Sequence, residues 1–489
     1  MGTQRSAAAR GDTKRKTQEN FLRAGVSPSH TRKKASPPSF AASGKNSPTR
    51  AVRISSSPSA KRKVSASSAK SVGRPSSSVK ISAKEAGGLK RKLGPESKRD
   101  LKVVTGLSPA HTLENRVNPE IVREVAISTH LIMIAVAVLV MFGLLTVFSA
   151  GTSVDGYADT GYGVFLMQLL WVVIGCITAF VLSKLDYRIV AKLSLLFVIC
   201  SVTVLVLVLP FGVQSSGSRR CLHIYGPINF QPSEFAKFSM ILFSAYVLHA
   251  KRERIKKFSE LFFPLLVLLA LTCFLILYQP DLGSAVILFV CVLVVMTLSE
   301  ARLSHTAIIG LSGTSFAVIA MCIEPYRLAR LMAFLNPWKD ALGYGYQLIQ
   351  SYVAFGTGGI LGLGPGMSRQ KFLYLPNAHN DFVFSIIGEE FGLLGTFAIV
   401  AMFVLIAIAG MKIAEHARDE LGRILAAGIT SFFVIQALVN MGGVTGIMPL
   451  TGVTLPFVSA GGSSMIVCMA CLGILFNVAR QVEFTGGRV

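Results

Sequence analysis

The stretch ISTHLIMIAVAVLVMFGLLTVFS, Ile127–Ser149, runs for 23 residues without an Asp, Glu, Lys or Arg. About 20 such residues in a helix cross the roughly 30 Å hydrocarbon layer of a bilayer. Apolar on all sides, the stretch reads as a membrane span. Nine further apolar segments follow, at 162–183, 192–211, 234–250, 261–278, 284–299, 305–323, 381–411, 424–441 and 463–479. The expected fold is therefore an all-α integral membrane protein of about ten transmembrane helices, and the even number returns both ends to one side. With 52% hydrophobic residues and a mean hydropathy of +0.56, the chain as a whole belongs with integral membrane proteins.

The formal charge of +24 is not spread evenly, since residues 1–120 hold 26 Lys and Arg against 7 Asp and Glu. This segment is rich in Ser, Ala and Pro, lacks an apolar period, and is expected to be a disordered basic tail. It has no secretory h-region, which puts it on the cytoplasmic side, where attraction to anionic lipid or an acidic partner is a plainer role than nucleic-acid binding. Short loops carrying Lys184, Arg188 and Lys192, then Lys251, Arg252 and Arg254, then Lys412, Arg418 and Arg423 fall on that same side. The rest of the chain, 121–489, is expected to be one polytopic domain whose opposite face carries a large extracytoplasmic loop at about 324–380. That loop is itself basic, with Arg327, Arg330, Lys339, Arg369 and Lys371. Two readings stand: long loops cross the membrane regardless of charge, or the surface receives an anion.

Six of the eight cysteines lie inside apolar runs, where Cys packs as a small hydrophobe. No disulfide framework follows, although Cys221 and Cys322 fall near the same face and leave one bridge open. The sequence holds no His-Glu-x-x-His, no Walker loop and no Cys or His ligand cluster, which argues against zinc hydrolysis and ATP-driven transport.

Four polar stretches on the outer face carry the chemistry. The first runs Gly217-Ser218-Arg219-Arg220-Cys221 and on to Asn229-Phe230-Gln231-Pro232-Ser233-Glu234, with Lys237 one turn further; Pro232 and Glu234 are helix-start signals and Ser233 a candidate cap. Lys237 either neutralises Glu234 or binds an anion. The second, Gln279-Pro280-Asp281-Leu282-Gly283-Ser284, is turn chemistry in which Asp281 is as good a cap as a ligand. The third joins Arg327-Leu328-Ala329-Arg330 to a run of glycines at 356, 358, 359, 362, 364 and 366, with no preceding strand and no dinucleotide spacing. Close backbone approach to a ligand, or a re-entrant loop, accounts for them. The fourth, Met448 to Ser464, breaks an apolar region with Pro449, Gly452, Pro456, Gly461 and Gly462 and ends on Ser463, as backbone does where it lines a cavity.

Between the third and fourth stretches, His379-Asn380-Asp381 leads into a long apolar helix. A carboxylate at the mouth of a membrane-embedded site is costly and reads as functional. Glu389 and Glu390 follow on the same helix, about 12 Å or more from Asp381 at 1.5 Å per residue, too far for acid–base cooperation and suited to internal pairing. His379 is near enough to tune Asp381, although a loop histidine is more often solvated.

In this order the motifs resemble the SEDS family (shape, elongation, division and sporulation), over about residues 121–480. The Ser218-Arg219-Arg220 loop, Asn336-Pro337-Trp338 and Gln370-Lys371 look like its cell-division branch rather than its elongation branch. The resemblance implies a ten-helix bundle with both termini in the cytoplasm, in the bacterial cytoplasmic membrane at the division septum. It implies peptidoglycan glycosyl transfer from lipid II, an undecaprenyl-pyrophosphate-linked substrate, with a class B penicillin-binding protein and other divisome proteins as partners. The family's essential aspartate falls on Asp381, expected as general base. Lys237, Arg219, Arg220, Arg330 and Lys371 become candidates for the pyrophosphate, with Lys237 ranked first, and His379, Gln231 and Ser463 for substrate contact. The resemblance leaves room for a divalent cation, Mg or Mn, that no ligand cluster calls for. Cys221 stands where the family usually has Trp, Asn377 where Glu is common, and Ala460 where Tyr is common. Three other readings, a lipid II flippase, a division scaffold and a polymerase of the family's elongation branch, remain open; clustering of the polar motifs on one half of the bundle favours catalysis over transport.

Overall fold

The computed structural model describes residues 119–485, apart from 152–159, 216–217, 226–227, 253–257, 300–301, 373–374 and 376–379. The basic tail, except its last two residues, and His379 lie outside the described residues. Each of the ten apolar segments is a helix: α1 (Pro119–Gly151), α2 (Thr160–Lys184), then a short α3 (Tyr187–Lys192) before α4 (Ser194–Phe211). After a small sheet come α5 (Pro232–Ala250), α6 (Phe258–Tyr278), α7 (Leu282–Leu298) and α8 (Leu303–Ile323). Two further helices, α9 (Pro325–Leu335) and α10 (Tyr346–Gly358), precede α11 (Val383–Glu415), α12 (Glu420–Val444) and α13 (Gly462–Thr485). Seven of these are long and apolar enough to cross a membrane; α6 and α7 have shorter apolar runs, and α5 carries Glu234 and Lys237.

Burial sorts centre from rim. The apolar windows of α12 and α13 are 72% and 78% buried, against 11% for α2 and α8. The rim helices present Phe180, Leu311 and Phe397 outward, as lipid-facing helices do. The central helices therefore carry the polar side chains that the bundle can satisfy only internally: Glu234 and Lys237 on α5, Gln436 and Asn440 on α12.

The stretch between α4 and α5 departs from its reading as a loop. It forms a three-stranded antiparallel sheet, β1 (Val213–Ser215), β2 (Ser218–Tyr225) and β3 (Ile228–Phe230), in the order β1-β2-β3. Gln231 precedes α5 without a side-chain cap bond, and Ser233, the expected cap, instead donates to Asp281 Oδ2 at 3.3 Å. Asp281 does cap α7, accepting from Ser284 N at 3.1 Å.

The expected 324–380 loop carries two helices, α9 and α10. Arg327 anchors α9 by donating to the carbonyls of Leu277 and Ala320, at the ends of α6 and α8, over 2.9 and 3.1 Å. Helix α10 packs into the bundle against α11, and Ser351 Oγ donates to the Val444 carbonyl at 2.6 Å.

Within the glycine run, Gly358 and Gly362 approach the backbone of α11. Helix α11 breaks at Gly392 (φ 66°), and the break exposes carbonyls and amides that residues 359–364 satisfy. Leu363 N and Gly364 N donate to the carbonyls of Glu389 and Glu390 at 3.0 Å each, and Leu393 N donates to Gly359 O at 2.9 Å. A Cβ on Gly362, itself at φ +81°, would lie 2.2 Å from the Glu390 carbonyl, so only glycine permits this approach. The side chains complete the join as the sequence reading anticipated. Glu389 accepts from Ser368 Oγ and from Arg369 N (3.0 Å), while Glu390 accepts from Ser149 and faces Lys371 Nζ at 3.6 Å. Cys221 and Cys322 are free thiols.

Candidate active site

One end of the bundle, beneath the sheet and α9, holds Asp381 two residues before α11. The carboxylate sits where two cavities meet. One, of about 310 Å³, is lined by Gln231, Ser463, Ser464, Thr454, Trp171 and Glu234 among others. The other, of about 90 Å³, is lined by Arg220, Arg330, Gln347, Asn440 and Gly452. Asp381 and Arg220 line both. Beyond Arg330 and Gln347 a third cavity of about 350 Å³ opens among Tyr344, Tyr346 and Phe334.

Each element contributes for a local reason. Strand β2 carries Arg220 into the site, and its Nε is buried and has no hydrogen-bond partner among the described residues. Arg219 precedes it in the strand, paired in register with Gln214. Arg330 comes from α9, stacked 5.5 Å above the Tyr326 ring, and Tyr326 is in turn tied to the Pro280 carbonyl at 3.2 Å. The 448–461 segment brings Gly452 beside the carboxylate. A Cβ there would lie 3.4 Å from Asp381 Oδ2 and 3.9 Å from Arg220 Nη1, and its φ of +68° is one that side chains rarely adopt. Glycine keeps that space open.

Asp381 is half-buried, its free surface facing the cavities. Burial pushes its carboxyl up to about 6, the Arg220 and Arg330 guanidiniums pull it down, and the Asp281 carboxylate adds to the rise. A carboxylate so placed is mostly ionised at neutral pH and still basic enough to take a proton.

The other sequence candidates separate into two groups. Gln231 and Ser463 line the larger cavity and hold each other, Gln231 N donating to Ser463 Oγ at 3.0 Å; this joins the starts of α5 and α13. Lys237 and Lys371 line none of the three cavities. Lys237 has no solvent exposure and donates to Glu234 Oε1 at 2.8 Å and Gln436 Oε1 at 2.7 Å, so its charge is spent behind the wall on a residue that does line the cavity. Lys371, 5% exposed, donates to Ser149 Oγ at 2.8 Å and to the Gly366 carbonyl at 2.6 Å. Lys237 braces the wall of the site, and Lys371 braces the join at the α11 break. Sequence reading passed over Gln347, Asn440 and Trp171. Trp171 supplies an aromatic face to the cavity that Cys221 also lines, and nothing in its apolar surroundings on α2 signals that role. Among the described residues no group of three or more His, Cys, Asp or Glu could hold a metal ion.

A bundle of membrane-crossing helices, with a carboxylate and two guanidiniums converging on connected cavities at one end, defines a polytopic membrane protein built to handle a charged substrate at the membrane surface. The family described as "FTSW_RODA_SPOVE: Cell cycle protein" matches residues 129–483, and the chain belongs to that family, the SEDS proteins. It is 39% identical over 357 residues, 72% of this chain and 93% of the other, to "Probable peptidoglycan glycosyltransferase FtsW" of Trichlorobacter lovleyi. It is 40% identical to "Stage V sporulation protein E" of Bacillus subtilis, over 72% of this chain and 97% of that one. Among solved structures, a chain from "Structural coordination of polymerization and crosslinking by a peptidoglycan synthase complex" aligns with a TM-score of 0.59 at 29% identity, covering 72% of this chain and 97% of that one. The rod shape determining protein RodA of Thermus thermophilus aligns with a TM-score of 0.53 at 26% identity, over 72% and 96% of the two chains. This is an integral protein of the bacterial inner membrane.

Proposed function

We propose that the protein polymerises lipid II into glycan strands during cell division, as a peptidoglycan glycosyltransferase working on the outer face of the cytoplasmic membrane. The observation that carries this reading is the placement of Asp381 at the junction of the two cavities, with Arg220 beside it. The relatives named peptidoglycan glycosyltransferase support the reaction class. In the reaction, the acceptor sugar's 4-hydroxyl oxygen attacks the donor's anomeric carbon as the bond from that carbon to the lipid pyrophosphate breaks. Asp381 takes the hydroxyl proton as the O–C bond forms. Arg220 and Arg330 receive the charge that develops on the departing pyrophosphate, which leaves without a general acid. Gln231, Ser463 and their neighbours offer neutral hydrogen-bonding groups of the kind that hold a sugar.

The cavity end is then extracytoplasmic and both termini are cytoplasmic, the protein acts at the septum, and a class B penicillin-binding protein is its partner, in keeping with the synthase-complex relative. The test is reconstitution of the protein with that partner in vesicles containing fluorescent lipid II, scoring glycan polymer and lipid II movement separately. Polymer formation is the expected result. Movement of lipid II between leaflets with no polymer would replace this reading with transport.

A further inference from the structure

Asn440 lies one turn beyond Gln436 on α12, and both amides reach the 448–461 segment. Gln436 Nε2 donates to the Thr454 carbonyl at 3.1 Å and its Oε1 receives Lys237, so both ends of that amide are used. Asn440 is placed differently. Its Nδ2 donates to two carbonyls, Val453 at 2.7 Å and Asp381 at 2.9 Å. Two acceptors on that side leave only one orientation for the amide, because only the NH2 end can serve both. Its Oδ1 is thereby turned away from them, and it is buried with no hydrogen-bond partner among the described residues. Asn440 is only 3% exposed, yet it lines the same cavity as Asp381, Arg220 and Arg330. Buried acceptors are nearly always satisfied, so an unsatisfied one on a residue that lines a cavity points to a donor that arrives with a ligand.

We propose that Asn440 is both a positioning residue for Asp381 and a direct substrate contact: its NH2 group locks the Asp381 backbone to Val453, and its Oδ1 accepts a hydrogen bond from a sugar hydroxyl or acetamido N–H. The inference rests on the glycosyltransferase reading above and extends it to a residue that the sequence motifs do not single out. The geometry gives the lock its purpose. Val453 adjoins Gly452, whose missing side chain leaves the space between Asp381 and Arg220, so one amide sets the width of the gap in which proton transfer occurs. Asp381 precedes α11 and takes no support from that helix's own ladder, which makes an external tie to its carbonyl effective.

The test uses the full-length protein with its penicillin-binding partner, fluorescent lipid II as probe, and initial rates measured against substrate concentration from pH 5 to 9. Asn440→Ala removes both contacts. A carboxylate displaced by about 1 Å costs on the order of 100-fold in kcat. Loss of one hydrogen bond to the sugar raises KM about tenfold. Water entering the loosened gap also moves the acid limb of the rate profile to lower pH. Asn440→Asp keeps the size and an acceptor oxygen but puts an oxygen, which cannot donate to the two carbonyls, where the NH2 was; it also adds a carboxyl beside Asp381 and moves the acid limb to higher pH. The charged groups already facing Asp381 are Arg220 from β2, Arg330 from α9 and Asp281 at the head of α7, and both variants leave them in place. Opposite shifts of the acid limb, with the KM rise confined to Asn440→Ala, are the expected result. An acid limb fixed at its wild-type position in both variants, with activity falling only in step with the melting temperature, would reduce Asn440 to a structural role and overturn the inference. So would wild-type kinetics in Asn440→Ala. Should Asn440→Ala fail to fold, the isosteric Asn440→Asp carries the test through the direction of its acid limb. Absence of polymer from the wild type defeats the glycosyltransferase reading instead, and is recognised by the wild-type control.

Discussion

Replacing Asp381 with Asn should abolish activity and at the same time stabilise the protein, in a pH-dependent way that follows from the cavity. Folding raises this carboxyl from its ordinary value of 3.8 to about 6, burial being the main cause. The folded state therefore holds the proton more tightly than the unfolded chain. That contribution is fully present below about pH 4 and is lost as pH rises through about 6. The gap between the two values corresponds to about 3 kcal/mol at about 1.4 kcal/mol per tenfold. Because Asp381 is half-buried and faces open cavity, solvent screening leaves about 1–2 kcal/mol of it. Asp381→Asn carries no charge at any pH and escapes this loss. Thermal melts in one detergent at pH 3.5 and pH 8 check it: the variant should melt about 2–4 °C above wild type at pH 8, and the two should nearly coincide at pH 3.5. A variant that melts at or below wild type at pH 8, or an advantage equally large at both pH values, would refute the claim that the carboxylate is held against the preference of its site.

Three further outcomes follow from the packing. Lys371→Met leaves Glu390, 2% exposed, without its cation and should cost about 3–5 kcal/mol, seen as a large fall in melting temperature; pairing it with Glu390→Leu should recover most of the loss. Gly362→Ala drives a methyl into the Glu390 carbonyl at a positive φ and should destabilise by at least about 2 kcal/mol, whereas Gly356→Ala, which meets nothing within 4 Å, should be tolerated. Deleting residues 1–110, which precede the helical bundle and the family match, should leave polymerisation in detergent within about twofold of the full chain.

The ten apolar segments were legible because a membrane span announces itself by length and lack of charge alone, and each corresponds to a helix. The elements at the cavity end were not. Ser218–Tyr225 reads as a polar loop since its strand character comes from pairing with neighbours on both sides, not from alternation. Tyr346–Gly358 is too short and too mixed to stand out, and becomes a helix by packing Leu348, Ile349 and Ala354 against the bundle. Asp381 was visible because an isolated carboxylate at a helix mouth is costly wherever it points. Lys237 and Lys371 looked like pyrophosphate contacts for the same reason, but a charge inside a bundle is equally well explained by a hidden partner. Glu234 and Glu390 are those partners, and sequence spacing reveals only the first. Asn440 carried no signal at all: an amide in a central helix is ordinary until the two carbonyls it holds are seen.

The measurement that bears most directly on the whole account is polymerisation of labelled lipid II by purified wild type and Asp381→Asn, each in complex with its penicillin-binding partner and each shown to be folded. The account predicts long glycan strands from the wild type, none from the variant, and a wild-type rate that falls about tenfold for each pH unit below about 6 as Asp381 takes up its proton. Strand synthesis by Asp381→Asn at near wild-type rate would contradict it.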